Sequence, residues 1–468
     1  MPGIGISNAI PFNKGVSWST YWATRTPSNL YAIVYRDTEA DLTWTDPSGD
    51  VPFRIYISTD GVNYTEKGTT IAGDNTYTAT GLTAGTLYYF YVKAYNGTNE
   101  SPATNIIDTY FKITVDTTKA GSAADTFVLP VNANTGSYFV DWGDGGAEEE
   151  FTTTGNKSHT YAAQGTYQIK VRGGLTALAF NNAGDKLKLI YIDQWGNIKL
   201  TSCATMFYGC SNMMGRYLDQ PNISNVISLY RMFRGCALFN SSVAHFDVSQ
   251  VKNMEGVFTS CTVFNQSVEN WSTITATTMY VLFDGCSAFN QSVANFNSEK
   301  VTTFSNMFRN AISFKQSLAN FSLNSATSIV DMLLGIDINE AGTTTNYDAT
   351  LVAWAAQDAP NSLNFNGGAS KYGEGLVENG TTDGAAANKL IQSGQNFLTT
   401  VAVGDVVYNT TDGTYALVTA IDSDTQLSIS ADIMANAEVY RIQHSAAAKA
   451  RASLILNDLW TITDGGQA

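Results

Sequence analysis

Residues 254–268 read MEGVFTSCTVFNQSV, and this pattern returns every 25 or 26 residues along the middle of the chain. Phenylalanines mark the repeat at Phe207, Phe233, Phe258, Phe283 and Phe308. Cysteines keep the same spacing at Cys210, Cys236, Cys261 and Cys286. A unit of about 25 residues cannot bury a core alone, so the copies must stack on one another as a solenoid. Such stacks present long ordered surfaces that more often bind than catalyse.

Apolar residues within one repeat are spaced as they are on a helix. The intervals are three, three, one and three residues over Val251, Met254, Val257, Phe258 and Cys261. This spacing favours a short helical or 3₁₀ segment, and residues 267–271 read as a short strand. Because a 25-residue repeat falls within the length range of leucine-rich repeats, we expect a leucine-rich-repeat-like β/α solenoid.

The repeats also resemble a known family. The pattern Met-Phe-x-Gly-Cys-x-x-Phe-Asn-Gln-Ser-Val resembles the BspA-like repeats of bacterial surface proteins, including mycoplasma lipoproteins. Residues 192–198, which read IDQWGNI and lead into MFYGC at residues 206–210, resemble the first repeat of that family. The resemblance implies adhesion and surface recognition.

Residues 27–108 have the alternation of β-strands, as in residues 53–58 and 89–95, with a Thr-Asp-Gly turn at residues 59–61. This region resembles a fibronectin type III domain. The resemblance implies a β-sandwich in which Trp44 is the core tryptophan and Tyr88, with Leu82, forms the tyrosine corner.

Residues 109–174 contain VDWGDG at residues 140–145, HTY at 159–161 and GTY at 165–167. These pieces, in this order, resemble a PKD-type immunoglobulin-like domain. We expect a tight turn after Trp142 in which Asp144 accepts hydrogen bonds from backbone amides. The resemblance implies a structural role for the Asp144 and His159 pair. Asp141 and Asp144 are the candidate ligands for a calcium ion, and no other cofactor is expected.

The remaining boundaries follow from changes in pattern. We expect an N-terminal arm over residues 1–26, the repeat solenoid with its cap over 175–379, and a small β-barrel-like insertion over 380–444. A C-terminal helix within 445–468 completes the cap, because a bare solenoid end would expose its core. The fold class is therefore mainly β and multidomain: two immunoglobulin-like β-sandwiches, then a β/α solenoid with an inserted small β-module and a C-terminal cap helix.

Composition narrows the functional classes. Charged residues make up 14% of the 468 residues, against about 25% in typical globular domains, a profile typical of extracellular β-proteins and phage structural proteins. The 26 basic and 41 acidic residues give a net charge of −15, and this disfavours nucleic-acid binding, which needs concentrated basic charge. No apolar stretch reaches the length of a membrane span. The N-terminus also lacks the pattern of a secretory signal.

The cysteines are expected to be buried, reduced thiols that act as small apolar residues. A disulfide between neighbouring repeats and a metal site are the alternatives. The three histidines, His159, His245 and His444, match no catalytic or metal-binding motif, so we predict that the chain is not an enzyme.

A strip of amides is the candidate binding site on the repeats. It consists of Asn240, Asn265, Asn290, Gln266, Gln291 and Gln316. In one interpretation these side chains hydrogen-bond the turn backbone and hold the stack together. In the other they offer a polar strip to a ligand.

Taken together, these features favour a non-enzymatic virion protein of a bacteriophage, such as a fibre, appendage or decoration component. It would be made in the host cytoplasm and assembled into the particle. Its partners would be other virion proteins and a glycan or protein of the host surface, and homo-oligomerisation stays open. A cell-surface or secreted bacterial adhesin is the alternative, and a glycan-degrading enzyme is the third class.

Overall fold

The computed structural model describes residues 18–36 and 38–467. The chain divides into two compact units, Met1–Val226 with His245–Asp247 and Ile227–Ala244 with Val248–Ala468. Within the described residues, no helix is long and apolar enough to cross a bilayer.

The first unit begins with a β-sandwich. Its strands are β1 Ser28–Tyr35, β2 Glu39–Thr45, β3 Phe53–Ser58, β4 Thr65–Thr69, β5 Thr76–Thr80, β6 Tyr89–Ala94 and β7 Ile107–Asp108. They form a three-stranded sheet, β1-β2-β5, and a four-stranded sheet, β4-β3-β6-β7. Alternate residues of both sheets bury one core, which is the arrangement that strict alternation produces.

The arm predicted for residues 1–26 differs where the structure describes it. Helix α1, Trp18–Ala23, precedes the first strand, and Trp22 is buried in the sandwich core. The segment is therefore part of the sandwich and not an extended arm. Residues 1–17 of that prediction lie outside the described residues.

A second, seven-stranded sheet follows. Its strands are β8 Phe111–Asp116, β9 Thr126–Asp141, β10 Glu149–Phe151, β11 Gly155–Thr160, β12 Thr166–Leu178, β13 Leu189–Gln194 and β14 Met214–Gly215. The order is β10-β9-β12-β8-β13-β14, and β11 pairs with the first half of β9. The sheet thus continues beyond residue 174 into the segment that leads to the repeats.

Overlapping turns form the repeats of the second unit. The N–H groups of residues 231, 233 and 235 donate to the carbonyl oxygens of residues 255, 257 and 259, each 24 positions later. The same three bonds recur from residues 256, 258 and 260 to the next repeat. One residue per repeat also forms a parallel bridge with its equivalents, as Ser228, Asn253, Thr278, Thr303 and Ser328 do.

The helix and strand predicted for each repeat are wrong. Residues 255–260 form turns, and residues 267–271 form no strand. Gly256 and Ser260 have positive φ values of 62° and 61°, and this left-handed conformation interrupts a right-handed helix. The spacing of Met254, Val257 and Cys261 therefore marks successive turns that face the core. The repeats are not of the β/α kind.

Aromatic rings fill the interior of the stack. Phe233, Phe258, Phe283 and Phe308 follow one another with ring centroids 5.8, 5.7 and 5.6 Å apart. Phe239, Phe264, Phe289 and Phe314 form a second ladder with spacings of 6.1, 6.0 and 6.0 Å. The rings within each ladder are nearly parallel, so successive repeats bury their aromatic faces on one another.

The cysteines lie beside these rings. All five are buried and none forms a disulfide. The Cys261 Sγ donates to the Phe233 carbonyl oxygen over 2.9 Å, and the Cys286 Sγ to that of Phe258 over 2.8 Å. Each of these thiols thus bonds the backbone of the preceding repeat.

The C-terminal segments extend the stack beyond the last repeat. Ile329 bridges Phe365 in strand β15, Asn364–Asn366, which in turn pairs in parallel with a late strand, Thr461–Thr463. Helix α2, Thr345–Ala355, packs against a late helix, Ala446–Leu456. Leu459 lies beyond this helix and is exposed. Two segments that are widely separated in the sequence, residues 345–366 and 446–463, thus close the C-terminal end of the stack together.

A six-stranded antiparallel sheet lies between these two parts of the chain. Its strands are β16 Leu376–Thr381, β17 Lys389–Ile391, β18 Val406–Asn409, β19 Thr414–Ser423, β20 Gln426–Ile429 and β21 Val439–Gln443, with helix α3 at Phe397–Thr400. The order is β16-β21-β18-β19-β20-β17. Gly384, just after β16, bridges Ile391 in β17, which brings the two edges together at one end. The late helix and strand described above are α4 and β22.

The left-handed position at Ser260 provides a matched test of backbone strain. Ser260 is exposed, while Gly285 holds the equivalent position of the next repeat at a φ of 72°. We expect Ser260→Gly to raise the free energy of unfolding by about 1 kcal/mol and Gly285→Ala to lower it by about 1 kcal/mol. Urea unfolding followed by circular dichroism measures both. A loss of stability in Ser260→Gly would contradict this account. In Gly285→Ala the effect comes from the backbone, because the nearest atom to a Cβ there is 3.6 Å away and steric clash is small.

The accessibility of the thiols tests whether the five cysteines are buried as described. Burial raises the pKa of the Cys203 thiol to about 12, so its contribution to stability is complete below about pH 9 and is lost as the pH rises towards 12. At pH 8 we expect Ellman's reagent to modify no cysteine of the folded chain and all five after denaturation. A rapidly reacting thiol in the folded chain, or fewer than five after denaturation, would be inconsistent with this interior.

Candidate recognition surface of the repeats

The amide strip is used within the stack. Asn240 Oδ1 accepts the backbone N–H of Asn265 over 2.8 Å and the side-chain amide of Gln266 over 3.1 Å. Asn265 Oδ1 accepts the equivalent pair from Asn290 and Gln291, both over 2.9 Å. The structure therefore brings the predicted residues together in one line, and the asparagine oxygens hydrogen-bond the next repeat.

The last copy keeps this bonding although its sequence changes. Lys315 stands where the pattern has asparagine, and its backbone N–H donates to Asn290 Oδ1 over 2.8 Å. Gln316 Nε2 donates to the same oxygen over 3.0 Å. Only the backbone of position 315 is needed as a donor, so lysine replaces asparagine there without loss. This geometry favours the structural interpretation of the strip over the ligand-binding one.

Two columns differ from the Phe and Cys columns because their residues vary between repeats. The first contains Tyr230, Glu255, Tyr280, Ser305 and Val330, and the second contains Arg234, Thr259, Asp284, Arg309 and Leu334. We call these two columns the variable face. Within it Tyr280 is 37% exposed and Leu334 is 39% exposed, Thr259, Asp284 and Ser305 are buried, and the other five residues are partly buried. The neighbouring Phe and Cys columns are buried throughout.

Ion pairs order the charged part of the variable face. Arg309 Nε donates to Asp284 Oδ1 over 2.9 Å and its Nη2 to Oδ2 over 2.7 Å. This two-point contact raises the pKa of the Arg309 guanidinium. Arg231, one residue after Tyr230, contacts Glu255 over 3.3 Å. Sequence reasoning missed these residues, although columns that change while their neighbours repeat were visible at the 25-residue spacing.

The Trp142–Asp144 turn is held by hydrogen bonds of its own. Asp144 Oδ1 accepts the Gly146 N–H over 3.0 Å, and Oδ2 lies 2.9 Å from His159 Nε2. These two bonds lower the pKa of Asp144. The His159 ring stacks on Trp142 with centroids 4.8 Å apart. The histidine thus packs within the turn.

The candidate calcium ligands are engaged by protein groups. Asp141 Oδ1 accepts the Gly143 N–H over 2.9 Å, and Oδ2 accepts Lys170 Nζ over 3.0 Å. With Asp144 bonded as above, both carboxylates already have cationic or N–H partners. Over residues 18–36 and 38–467, no group of three or more His, Cys, Asp or Glu side chains could hold a metal ion. The residues present do not fit a calcium site.

The other predicted positions lie in the first sandwich. Trp44 is buried in the core, with its ring 5.3 Å from that of Phe53. The Tyr88 hydroxyl accepts the Thr83 N–H over 3.1 Å. Both contacts are structural.

The two interpretations of the amide strip differ in a measurable way. Asn265→Ala removes the acceptor of two hydrogen bonds and should lower the free energy of unfolding by about 1–2 kcal/mol. Asn265→Asp keeps the acceptor and should stay within about 0.5 kcal/mol of the wild type. Asn295→Ala is the control, since that amide reaches only the Glu269 carbonyl oxygen over 3.4 Å. Equal stability of the Ala and Asp variants in urea unfolding would argue against a structural strip.

Two family models match parts of the chain. The fibronectin type III domain model matches residues 25–110, and a model described as a mycoplasma protein of unknown function matches residues 177–279 and 228–347. The first match confirms the sandwich predicted for residues 27–108, and the second confirms the relation of the repeats to a mycoplasma family. No curated protein matches the chain.

Solved structures similar to the chain cover its N-terminal part. A Fn3-like protein from Clostridium thermocellum is 31% identical over 18% of this chain and 91% of its own, with a TM-score of 0.17. The fibronectin type III domain of human fibronectin type III domain containing protein 3 is 25% identical over 18% of this chain and 80% of its own, with a TM-score of 0.16. By the family models, the N-terminal sandwich matches the fibronectin type III domain, and the repeats that follow are similar to a mycoplasma family.

Proposed function

We propose that the chain is a non-enzymatic adhesion protein of a bacteriophage particle, and that the variable face of its repeats recognises the host surface or a neighbouring subunit. The observation that carries this proposal is the contrast between columns. The Phe and Cys columns are buried and nearly constant, whereas the variable face changes from repeat to repeat and exposes Tyr280 and Leu334. A surface of this kind varies its contacts while the scaffold stays fixed.

The chemistry of the repeats supports binding and not catalysis. Their cysteines are buried, so they are poor nucleophiles. The amide strip bonds the next repeat. The histidines outside the repeats contact local carboxylates, His159 at Asp144 and His444 at Asp405. The asparagines of the amide strip and these two histidines thus have partners within the fold.

Composition supports the assignment to a particle. The chain has few charged residues and a net charge of −15, which suits a surface exposed to solvent better than one bound to anionic lipid or nucleic acid. A bacterial surface adhesin is the second candidate. The similarity of the repeats to a mycoplasma family favours it.

The location of the protein distinguishes a phage-particle protein from a bacterial surface adhesin. Phage particles purified by density gradient from the host that carries the gene should contain the chain, as detected by antibody labelling and mass spectrometry. Recovery with the cell envelope of uninfected cells would instead support the bacterial adhesin. Recovery in neither fraction would contradict both proposals.

Substitution on the variable face tests recognition. We expect fluorescently labelled chain to bind intact host cells, and Tyr280→Ala to weaken that binding about tenfold, because exposed tyrosines contribute strongly to interfaces. Gln291→Ala, on the amide strip, is the control and should bind as the wild type does. The reverse result would place recognition on the amide strip, and absence of binding to host cells would exclude host adhesion.

A further inference from the structure

A cleft with a volume of about 470 Å³ lies in the first unit, where the first sandwich meets the seven-stranded sheet. Tyr89, Tyr110 and Phe139 provide its aromatic walls, and Asp60, Glu148 and Arg172 are among its polar residues. Its size and its mixture of rings with a few polar groups are those of small-molecule sites. The repeats contribute nothing to this cleft, so it is separate from the variable face.

Glycine contacts fix the floor of the cleft. The Gly173 N–H donates to the Gly85 carbonyl oxygen over 3.0 Å. Gly85 has a φ of 73°, and a Cβ there would lie 2.8 Å from the Gly173 carbonyl oxygen. No other residue allows the two sheets to approach so closely at this point. The walls are therefore held at a set distance before any ligand arrives.

The charged side chains of the cleft already have hydrogen-bond partners. Arg172 Nε and Nη2 donate to Glu148 Oε2 over 3.1 and 2.6 Å, and the Tyr110 hydroxyl donates to Glu148 Oε1 over 2.7 Å. Asp60 uses its carboxylate on its own turn, where it accepts the N–H groups of Val62 and Asn63. The cleft therefore offers an anionic ligand no free cation, since Arg172 is paired with Glu148. It offers donors and acceptors side by side.

Cations lie over most of the rings in and around the cleft. Lys170 Nζ lies 5.9 Å from the centre of the Tyr110 ring, and Arg172 Cζ lies 3.9 Å from that of Phe139. On the adjoining sheet face, Tyr56 and Tyr91 stack with centroids 4.8 Å apart, and Lys93 Nζ lies 5.6 and 5.5 Å from their centres. A cation thus covers those two rings. Tyr89, the neighbour of this pair on strand β6, faces the cleft and rests against Gly61. An aromatic face attracts the polarised C–H groups of a sugar ring.

We propose that this cleft binds a neutral oligosaccharide, with a sugar ring packed against Tyr89 and hydroxyl groups bonded to the Glu148–Arg172 pair. Sugar hydroxyls both donate and accept, so one saccharide satisfies a carboxylate and a guanidinium that lie next to each other. The volume accommodates about two hexose rings within the range of such sites. An anionic polymer is disfavoured by the net charge of −15.

Calorimetric titration with neutral hexasaccharides tests this site. Maltohexaose, cellohexaose, chitohexaose, xylohexaose and laminarihexaose are titrated separately into the full chain. We expect at least one to bind, and Tyr89→Ala to weaken its affinity about tenfold. Tyr89→Leu keeps an apolar side chain of similar size but removes the ring, so it should weaken binding comparably while the protein keeps its unfolding midpoint.

Tyr31→Ala is the matched control. Tyr31 is an exposed tyrosine of the same sandwich, but it lies on strand β1 of the other sheet, and its variant should bind as the wild type does. Absence of binding by all five hexasaccharides would overturn the proposal. Binding that Tyr89→Leu leaves unchanged would overturn it as well, because the sugar would then lie elsewhere. Neither result bears on the variable face, which host-cell binding by Tyr280→Ala tests independently.

Discussion

Backbone hydrogen bonds from one repeat to the next are the interaction on which the second unit depends. In each turn segment, alternate N–H groups donate to carbonyl oxygens 24 residues later, as residue 231 does to residue 255 and residue 256 to residue 280. This spacing forces equivalent side chains into columns. The parallel phenylalanine rings, the thiol bond from Cys286 to Phe258 and the amide strip all follow from that register.

Burial and hydrogen bonding then give the residue columns of the repeats different roles. Columns that face inward must be apolar and alike, because each ring packs on its equivalents above and below. The asparagine column is constrained by its acceptor oxygen, and it changes to Lys315 only where that acceptor is no longer needed by a similar copy. The variable face carries neither constraint. Freedom to vary is therefore a consequence of position in the stack.

The repeat period, the aromatic columns and the first sandwich could be predicted from the sequence, because each rests on strict periodicity or alternation. The local structure of a repeat could not. The spacing of Met254, Val257 and Cys261 suits a helix as well as successive turns, and only the left-handed φ at Gly256 and Ser260 separates the two. The cleft could not be predicted from the sequence either, because only the tertiary structure brings Tyr89 and Tyr110 close to Glu148 and Arg172. The alternation in residues 89–93 did, however, place Tyr89 and Tyr91 on the face opposite Phe90 and Val92.

The direction of the turn bonds has a consequence for how such a chain evolves. From residue 229 onwards the turn segments donate towards the C-terminus, and the last of them meets an acceptor in strand β15, where the Leu333 N–H donates to the Asn366 carbonyl oxygen. A whole repeat gained or lost by unequal recombination would leave every donor facing an acceptor, whereas a partial one would break the register. Genes of this type can thus lengthen or shorten the variable face in 25-residue steps while the C-terminal end of the stack remains closed.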